Sequence, residues 1–183
     1  AGFCFGVNNA VNQVYKLLDE GNKVCTLGPI IHNPQVVDEL TARGVCIVED
    51  PADTPADHVL VIRSHGVPGS VYDTIREKNI PHCDATCPFV AKIHRIAATH
   101  SAAGATVLIA GDPTHPEVLG IRGHCQGAEY CFHDEAELEK LLLSHPEWDT
   151  APCIMVAQTT FNKTIWKKCE NYLKKVCTNA LVF

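Results

Sequence analysis

One arrangement recurs along this chain and limits its possible folds more than any other feature. A short apolar run ends in polar residues, and a proline or an N-capping side chain then opens a helical pattern. Val24–Leu27 leads through a loop to Asn33-Pro34, with Val36, Val37 and Leu40 at helical spacing behind them. Val59–Ile62 ends in Arg63-Ser64-His65-Gly66, and Pro68 starts the next helix. Ile80–Cys83 precedes Asp84-Ala85-Thr86-Cys87-Pro88, and the helical pattern runs to about residue 102. The second half repeats the order: Thr106–Ala110 before His115-Pro116, then a run at 129–132 before a helix at 134–143. Cys153–Ala157 follows, before Gln158-Thr159-Thr160 and a helix at 162–176. Proline costs nothing at the first helical position, where its missing N–H has no partner in any case. Strand–helix alternation of this kind implies parallel sheets with right-handed crossovers. The expected fold class is therefore α/β, in two small units of short, mainly parallel sheets flanked by helices, with domains at 1–87 and 88–183.

In such sheets ligands bind beyond the carboxyl ends of the strands. His32, His65, His115 and the Gln158–Thr160 stretch fall at such ends, as does Cys87. Cys4 lies just before a helical pattern at residues 7–18, a placement like that of Cys87 at its own helix start. A helix start offers unpaired N–H groups and a positive dipole end, which favour the thiolate, the form that binds metal or attacks.

Composition narrows the class. With 183 residues and 46% apolar side chains, the chain can build a real core. A net charge of −6 argues against a general nucleic-acid binder. No apolar run approaches the roughly 20 residues needed to span a membrane, and no signal peptide is visible. Ten cysteines include no CxxC pair, so the common zinc-ribbon and thioredoxin patterns are absent. Cys25, Cys46, Cys131 and Cys153 fall inside apolar strands and are expected to be reduced core residues in a cytosolic setting.

Three chemistries suit three strand-end histidines and two helix-start cysteines. One is a Cys/His zinc site, although no short-range ligand pair such as HExxH supports it. The second is a cysteine nucleophile with a histidine base, which leaves the other cysteine and two histidines unused. The third is an iron–sulfur cluster on widely spaced cysteines, with histidines binding an anion beside it. Glu117, two residues past His115, could hold or relay a proton; it could equally be an acid in a helix's first turn, where the dipole favours it. The other histidines and the lysines of residues 167–175 read as ordinary surface or helix positions.

Six motifs, in order, resemble one family. They are Gly-Phe-Cys-Phe-Gly-Val at 2–7, Ile-His-Asn-Pro at 31–34, Ser-His-Gly-Val at 64–67, Asp-Ala-Thr-Cys-Pro at 84–88, His-Pro-Glu-Val at 115–118 and Gln-Thr-Thr at 158–160. The family is 4-hydroxy-3-methylbut-2-enyl diphosphate reductase of the non-mevalonate isoprenoid pathway. The resemblance implies that Cys4 and Cys87 are two of three cysteines holding a 4Fe-4S cluster. It implies that His32, His65 and His115 surround the substrate's diphosphate, that Glu117 supplies protons and that Thr159 lies beside the substrate. It further implies reductive dehydroxylation to isopentenyl and dimethylallyl diphosphate, with ferredoxin or flavodoxin as electron donor, in the bacterial cytoplasm rather than a plastid stroma. No nucleic-acid or membrane partner is expected.

The chain departs from the family pattern at Asn9, where the family usually has Arg, so a local ion pair is lost. The third cluster cysteine is expected a few residues beyond Phe183, because Cys169 and Cys177 belong to an amphipathic helix. A third α/β unit, which the family places with the other two around the cluster, is expected to be missing. The chain is thus read as part of a longer enzyme and is not expected to turn over alone. The competing reading is a non-catalytic diphosphate-binding α/β module that has lost the cluster.

Overall fold

A computed structural model describes residues 5–31 and 33–183. Cys4 and His32 therefore lie outside the described residues. The chain divides into two units, Ala1–Ala91 and Lys92–Phe183. The division falls in the first turn of a helix, a few residues past the boundary placed at 87/88 from the sequence.

In the first unit, helix α1 (Phe5–Asp19) precedes strand β1 (Lys23–Leu27), α2 (Pro34–Ala42), β2 (Cys46–Val48), β3 (His58–Ile62), α3 (Gly69–Glu77) and β4 (His82–Asp84). The sheet is wholly parallel, in the order β2-β1-β3-β4. Side chains alternate across it, as the two-residue period of a strand requires. Val24 and Val61 face α1 and α2 with Ala10, Val14, Ile30 and Leu40. Cys25, Leu60 and Ile62 face α3 with Val67 and Ile75. Both faces are covered, which is why these strands read as continuous apolar runs.

Helix α4 (Pro88–Ala102) runs from the end of the first unit into the second, which continues with β5 (Thr106–Ala110), α5 (Pro116–Arg122), β6 (Glu129–Phe132), α6 (Glu135–Ser144), β7 (Cys153–Ala157), α7 (Lys163–Val176) and β8 (Ala180–Val182). Its sheet is also parallel, in the order β6-β5-β7-β8. Val107, Ile109, Ile154 and Val156 face Ala97, Val118 and Ile121. Leu108, Ala110 and Met155 face Leu138, Leu142, Cys169 and Leu173. Between α6 and β7 a short 3₁₀ turn, Pro146–Asp149, buries Trp148.

The capping signal at Asn33 works as read, and Asn162, taken from the sequence as the first residue of its helix, is its N-cap instead. Asn33 Oδ1 accepts from the Gln35 N–H at 3.0 Å, and Asn162 Oδ1 accepts from Thr164 and Ile165 at 2.9 and 3.1 Å. One cysteine expectation is corrected. Cys25 and Cys46 are not reduced; they form a disulfide between β1 and β2. The register pairs them directly across adjacent strands, with Cα atoms 4.5 Å apart, at the short end of the range a disulfide spans. Among the described residues, Cys131 and Cys153 are free.

Candidate functional site

Both sheets place their second-made strand on one side of the first and their third on the other. The chain therefore reverses its direction of winding between β1 and β3, and again between β5 and β7. Such a switch point opens a crevice past the strand ends, where ligands bind in this architecture. Among the described residues, those singled out in the sequence lie past the strand ends of their own unit: His65 and Cys87 in the first, His115, Glu117 and Thr159 in the second.

In the second unit, Gly111 follows β5 and Gln158 follows β7. Gln158 spans the switch: its N–H donates to Ala110 O at 2.9 Å, its Oε1 accepts from the Asp112 N–H at 3.2 Å, and its Nε2 donates to Thr160 Oγ1 at 2.8 Å. A Cβ on Gly111 would lie 2.7 Å from Val118 and 3.1 Å from Gln158, so only glycine lets the loop pass between α5 and the β7 loop. Asp112 turns this loop by accepting from the Thr114 N–H and hydroxyl at 2.8 and 2.7 Å. His115 then caps α5, its Nδ1 accepting from the Glu117 N–H at 3.2 Å. That bond makes Nδ1 the lone-pair nitrogen and Nε2 the N–H donor of the ring.

Glu117 is the most constrained polar residue of the unit, with only 2% of its surface exposed. Oε1 accepts from the Thr159 N–H at 2.6 Å and Oε2 from the Thr159 hydroxyl at 2.9 Å. The pair thus ties the start of α5 to the loop after β7. Burial pushes the Glu117 carboxyl above its ordinary range, while the two Thr159 donors and His115 pull the other way; burial wins. The arrangement keeps a proton on Glu117 to a higher pH than on an exposed glutamate, beside a hydroxyl able to pass it on.

In the first unit the ladder between β3 and β4 continues past the strand ends: Ala85 donates to Ile62 O at 3.1 Å and Cys87 to Ser64 O at 2.9 Å. This sets Cys87 beside the loop that carries His65. Gly66 turns that loop in the left-handed region, at φ 68°. Cys87 caps α4, its carbonyl accepting from Ala91 at 2.9 Å. Its sulfur lies against α1: a Cβ on Gly6 would come within 2.8 Å of it. Cys87 is free and half-buried. Asp84 shapes the approach, accepting from the Thr86 N–H and the Tyr72 hydroxyl, each at 2.9 Å. Burial pushes the Tyr72 hydroxyl up to about 12.

Arg63 is a residue that the sequence reading passed over. It follows β3 at the switch point, its guanidinium packs on Gly28, and half-burial lowers its pKa. Its signal was its position, equivalent to that of Gln158 in the other unit. Elsewhere, burial pushes the thiols of Cys125 and Cys131 up to about 11 and that of Cys153 up to about 12. They are protonated at neutral pH and suit a core.

A half-buried thiol at a helix start next to a histidine-bearing loop is a fitting donor for iron. A buried acid paired with a hydroxyl, at the switch point of a second parallel sheet, is a fitting proton store. Together they define the class: an α/β protein built from two units of like topology, with polar groups at each switch point. The family model described as LytB protein matches residues 1–183. A 4-hydroxy-3-methylbut-2-enyl diphosphate reductase of Alkaliphilus oremlandii is 39% identical over 185 residues, covering 100% of this chain and 64% of the relative. The enzyme of the same name from Thermoanaerobacter sp. strain X514 is 37% identical, with 100% and 63% covered. A solved structure of (E)-4-hydroxy-3-methyl-but-2-enyl diphosphate reductase, described as the terminal enzyme of the non-mevalonate pathway, superposes with a TM-score of 0.84. It is 33% identical and covers 100% of this chain and 64% of that one. The chain belongs to the LytB family. It spans a little under two thirds of the length of these relatives.

Proposed function

We propose that this chain supplies the first two units of a 4-hydroxy-3-methylbut-2-enyl diphosphate reductase. The pairing of buried Glu117 with Thr159 carries this reading, because it sets an acid of raised pKa past the strand ends of the second sheet, where ligands bind in this architecture. Cys4 and Cys87 would hold two corners of an iron–sulfur cluster, read as 4Fe-4S, with a third cysteine expected beyond Phe183. When bound, such a cluster supplies electrons singly and an iron with an open position for the substrate hydroxyl.

The rest of the work falls to side chains. His32, His65 and His115 would donate hydrogen bonds to the diphosphate, with help from the amino ends of α2 and α4. An acidic chain needs such local donors, since its overall charge of −6 repels an anion. His115 is set for this by its cap bond, which directs the proton to Nε2. The step takes up two electrons and two protons: one proton leaves with the hydroxyl as water as the C–O bond breaks, and the other goes to the allylic carbon, giving isopentenyl or dimethylallyl diphosphate; Glu117 would deliver protons through the Thr159 hydroxyl. Ferredoxin or flavodoxin is the proposed electron donor, and the bacterial cytoplasm the proposed location. No helix among the described residues is long and apolar enough to cross a membrane.

Glu117→Gln tests the reading in the full-length enzyme, purified without oxygen. Glutamine keeps the shape and an acceptor for the Thr159 N–H but cannot release a proton. Iron content should be unchanged and turnover should fall by about 10²-fold or more. An unchanged rate removes Glu117 from the proton path; absence of iron in the unmodified enzyme removes the reductase reading itself.

A further inference from the structure

At the other end of the first sheet, three metal-binding side chains converge. Cys25 lies in β1, Cys46 opens β2 and His58 opens β3. The two sulfurs and one ring nitrogen of His58 all lie within 4.8 Å of one another. Cys25 is fully buried, whereas Cys46 and His58 are half-buried, so the group is reachable from one side. The strand register creates the cluster. Cys25 pairs with Cys46 across one ladder and with Leu60 across the other, and His58 pairs with Lys23. Cys25 and His58 thus share a face of the sheet, one diagonal step apart.

His58 is held as metal-binding histidines are held. Its Nδ1 meets Asp57 Oδ1 at 2.8 Å, and Asp57 Oδ2 is in turn paired with Lys23 Nζ at 2.5 Å. A carboxylate on one ring nitrogen fixes the proton there and leaves the lone pair on the other, the arrangement that supports metal ligation. His58 stands at the amino end of its strand, and Cys87 follows the carboxyl end of β4, so this group is distinct from the one assigned to the cluster.

We propose that Cys25, Cys46 and His58 form a mononuclear site for a thiophilic divalent cation such as zinc, loaded when the Cys25–Cys46 disulfide is reduced. A dithiol reductant breaks the S–S bond, supplies two electrons and two protons to give two thiols, and is itself oxidised to a disulfide. The cation then displaces a proton from each thiol and takes the neutral imidazole as third ligand. Two thiolates and one imidazole match a tetrahedral zinc with one position left to water. The same two sulfurs therefore clamp β1 to β2 in either state, by a covalent bond or through the ion. The fit is to a soft ion rather than to magnesium or calcium, which require oxygen ligands.

The test uses the full chain carrying Cys87→Ser, which removes the thiol assigned to iron. After reduction with a phosphine, cobalt(II) alone is titrated in without oxygen. One equivalent should bind, with thiolate-to-cobalt charge transfer and tetrahedral d–d bands that zinc abolishes. Protein kept in its disulfide form should bind none. Cys25→Ser should remove the charge-transfer band. His58→Ala alters a half-buried side chain at a strand start and should leave the circular dichroism unchanged while weakening cobalt binding by about 10-fold or more. The proposal is overturned if reduced protein with both thiols open to alkylation binds no cobalt. It is equally overturned if His58→Ala binds as tightly as its parent.

Discussion

At Glu117 two opposed effects act on one carboxyl group. Removal from water favours the neutral acid, and two donated hydrogen bonds from Thr159 favour the anion. The balance is a raised pKa, so the folded state binds this proton more tightly than the unfolded chain does. By linkage, the stabilising contribution is fully present below the ordinary glutamate range and is lost as pH rises through the raised folded value. Glu117→Gln removes this titration. The variant should therefore gain on the parent chain as pH goes from about 4 to about 7.5, read as the difference between urea midpoints at the two pH values. Parallel pH profiles would show that Glu117 ionises normally. Thr159→Val keeps the N–H bond and deletes the hydroxyl donor at a buried acceptor. The expected loss is about 1–3 kcal/mol at neutral pH, shrinking in mild acid where Glu117 is protonated. Equal losses at both pH values would mean that the cost comes from packing alone.

The elements were legible where their causes are local. Pro34, Pro116 and the cap Asn33 announce helix starts within a few residues, and α4, β5, α5, β6 and β7 begin and end where the pattern placed them. What could not be read needs partners far apart in the chain. The Cys25–Cys46 bond depends on the register of two strands 21 residues apart. The Glu117–Thr159 pair depends on β7 lying beside β5, across 42 residues. Arg63 was marked only by its position after a strand, which many arginines share, and the packing against Gly28 is what sets it apart. The close passage at Gly111 was equally invisible, though a glycine after a strand could have marked it. Gly111→Ala would push Cβ into Val118, held by the core around it, and into the Gln158 side chain, held by its hydrogen bonds to Asp112 and Thr160. We expect a cost of about 1–3 kcal/mol together with a disturbed Glu117, visible as a shift in the acid-side pH profile. Gly127→Ala is the control: its Cβ would meet nothing closer than a carbonyl at 3.5 Å.

For the whole chain, the recurring sequence arrangement has a structural counterpart. Each unit is a parallel sheet of the same order, with the edge strand made second and the switch point between its first and third strands. The first strand is followed by glycine in both cases, at Gly28 and Gly111, and each glycine N–H donates to the last residue of the edge strand, Val48 at 2.8 Å and Phe132 at 2.9 Å. The residues after the third strands, Arg63 and Gln158, each reach back to that glycine. The topology repeats while the chemistry does not: the first unit presents a thiol and a histidine loop, the second an acid and a hydroxyl. The second unit also encloses its own sheet, with Leu108 and Met155 under α6 and α7 and Ile109 and Ile154 under α4 and α5. A segment covering 88–183 retains all four helices and falls in the size range of independent domains. We expect it to fold by itself, with a single urea transition and helical circular dichroism. Within it, Leu108→Ala should cost about 2–5 kcal/mol, as for a fully buried leucine. The Glu117→Gln comparison should give the same pH trend in this segment as in the full chain, because every group that shifts Glu117 belongs to it. A non-cooperative transition would show that this sheet needs more of the protein to hold it.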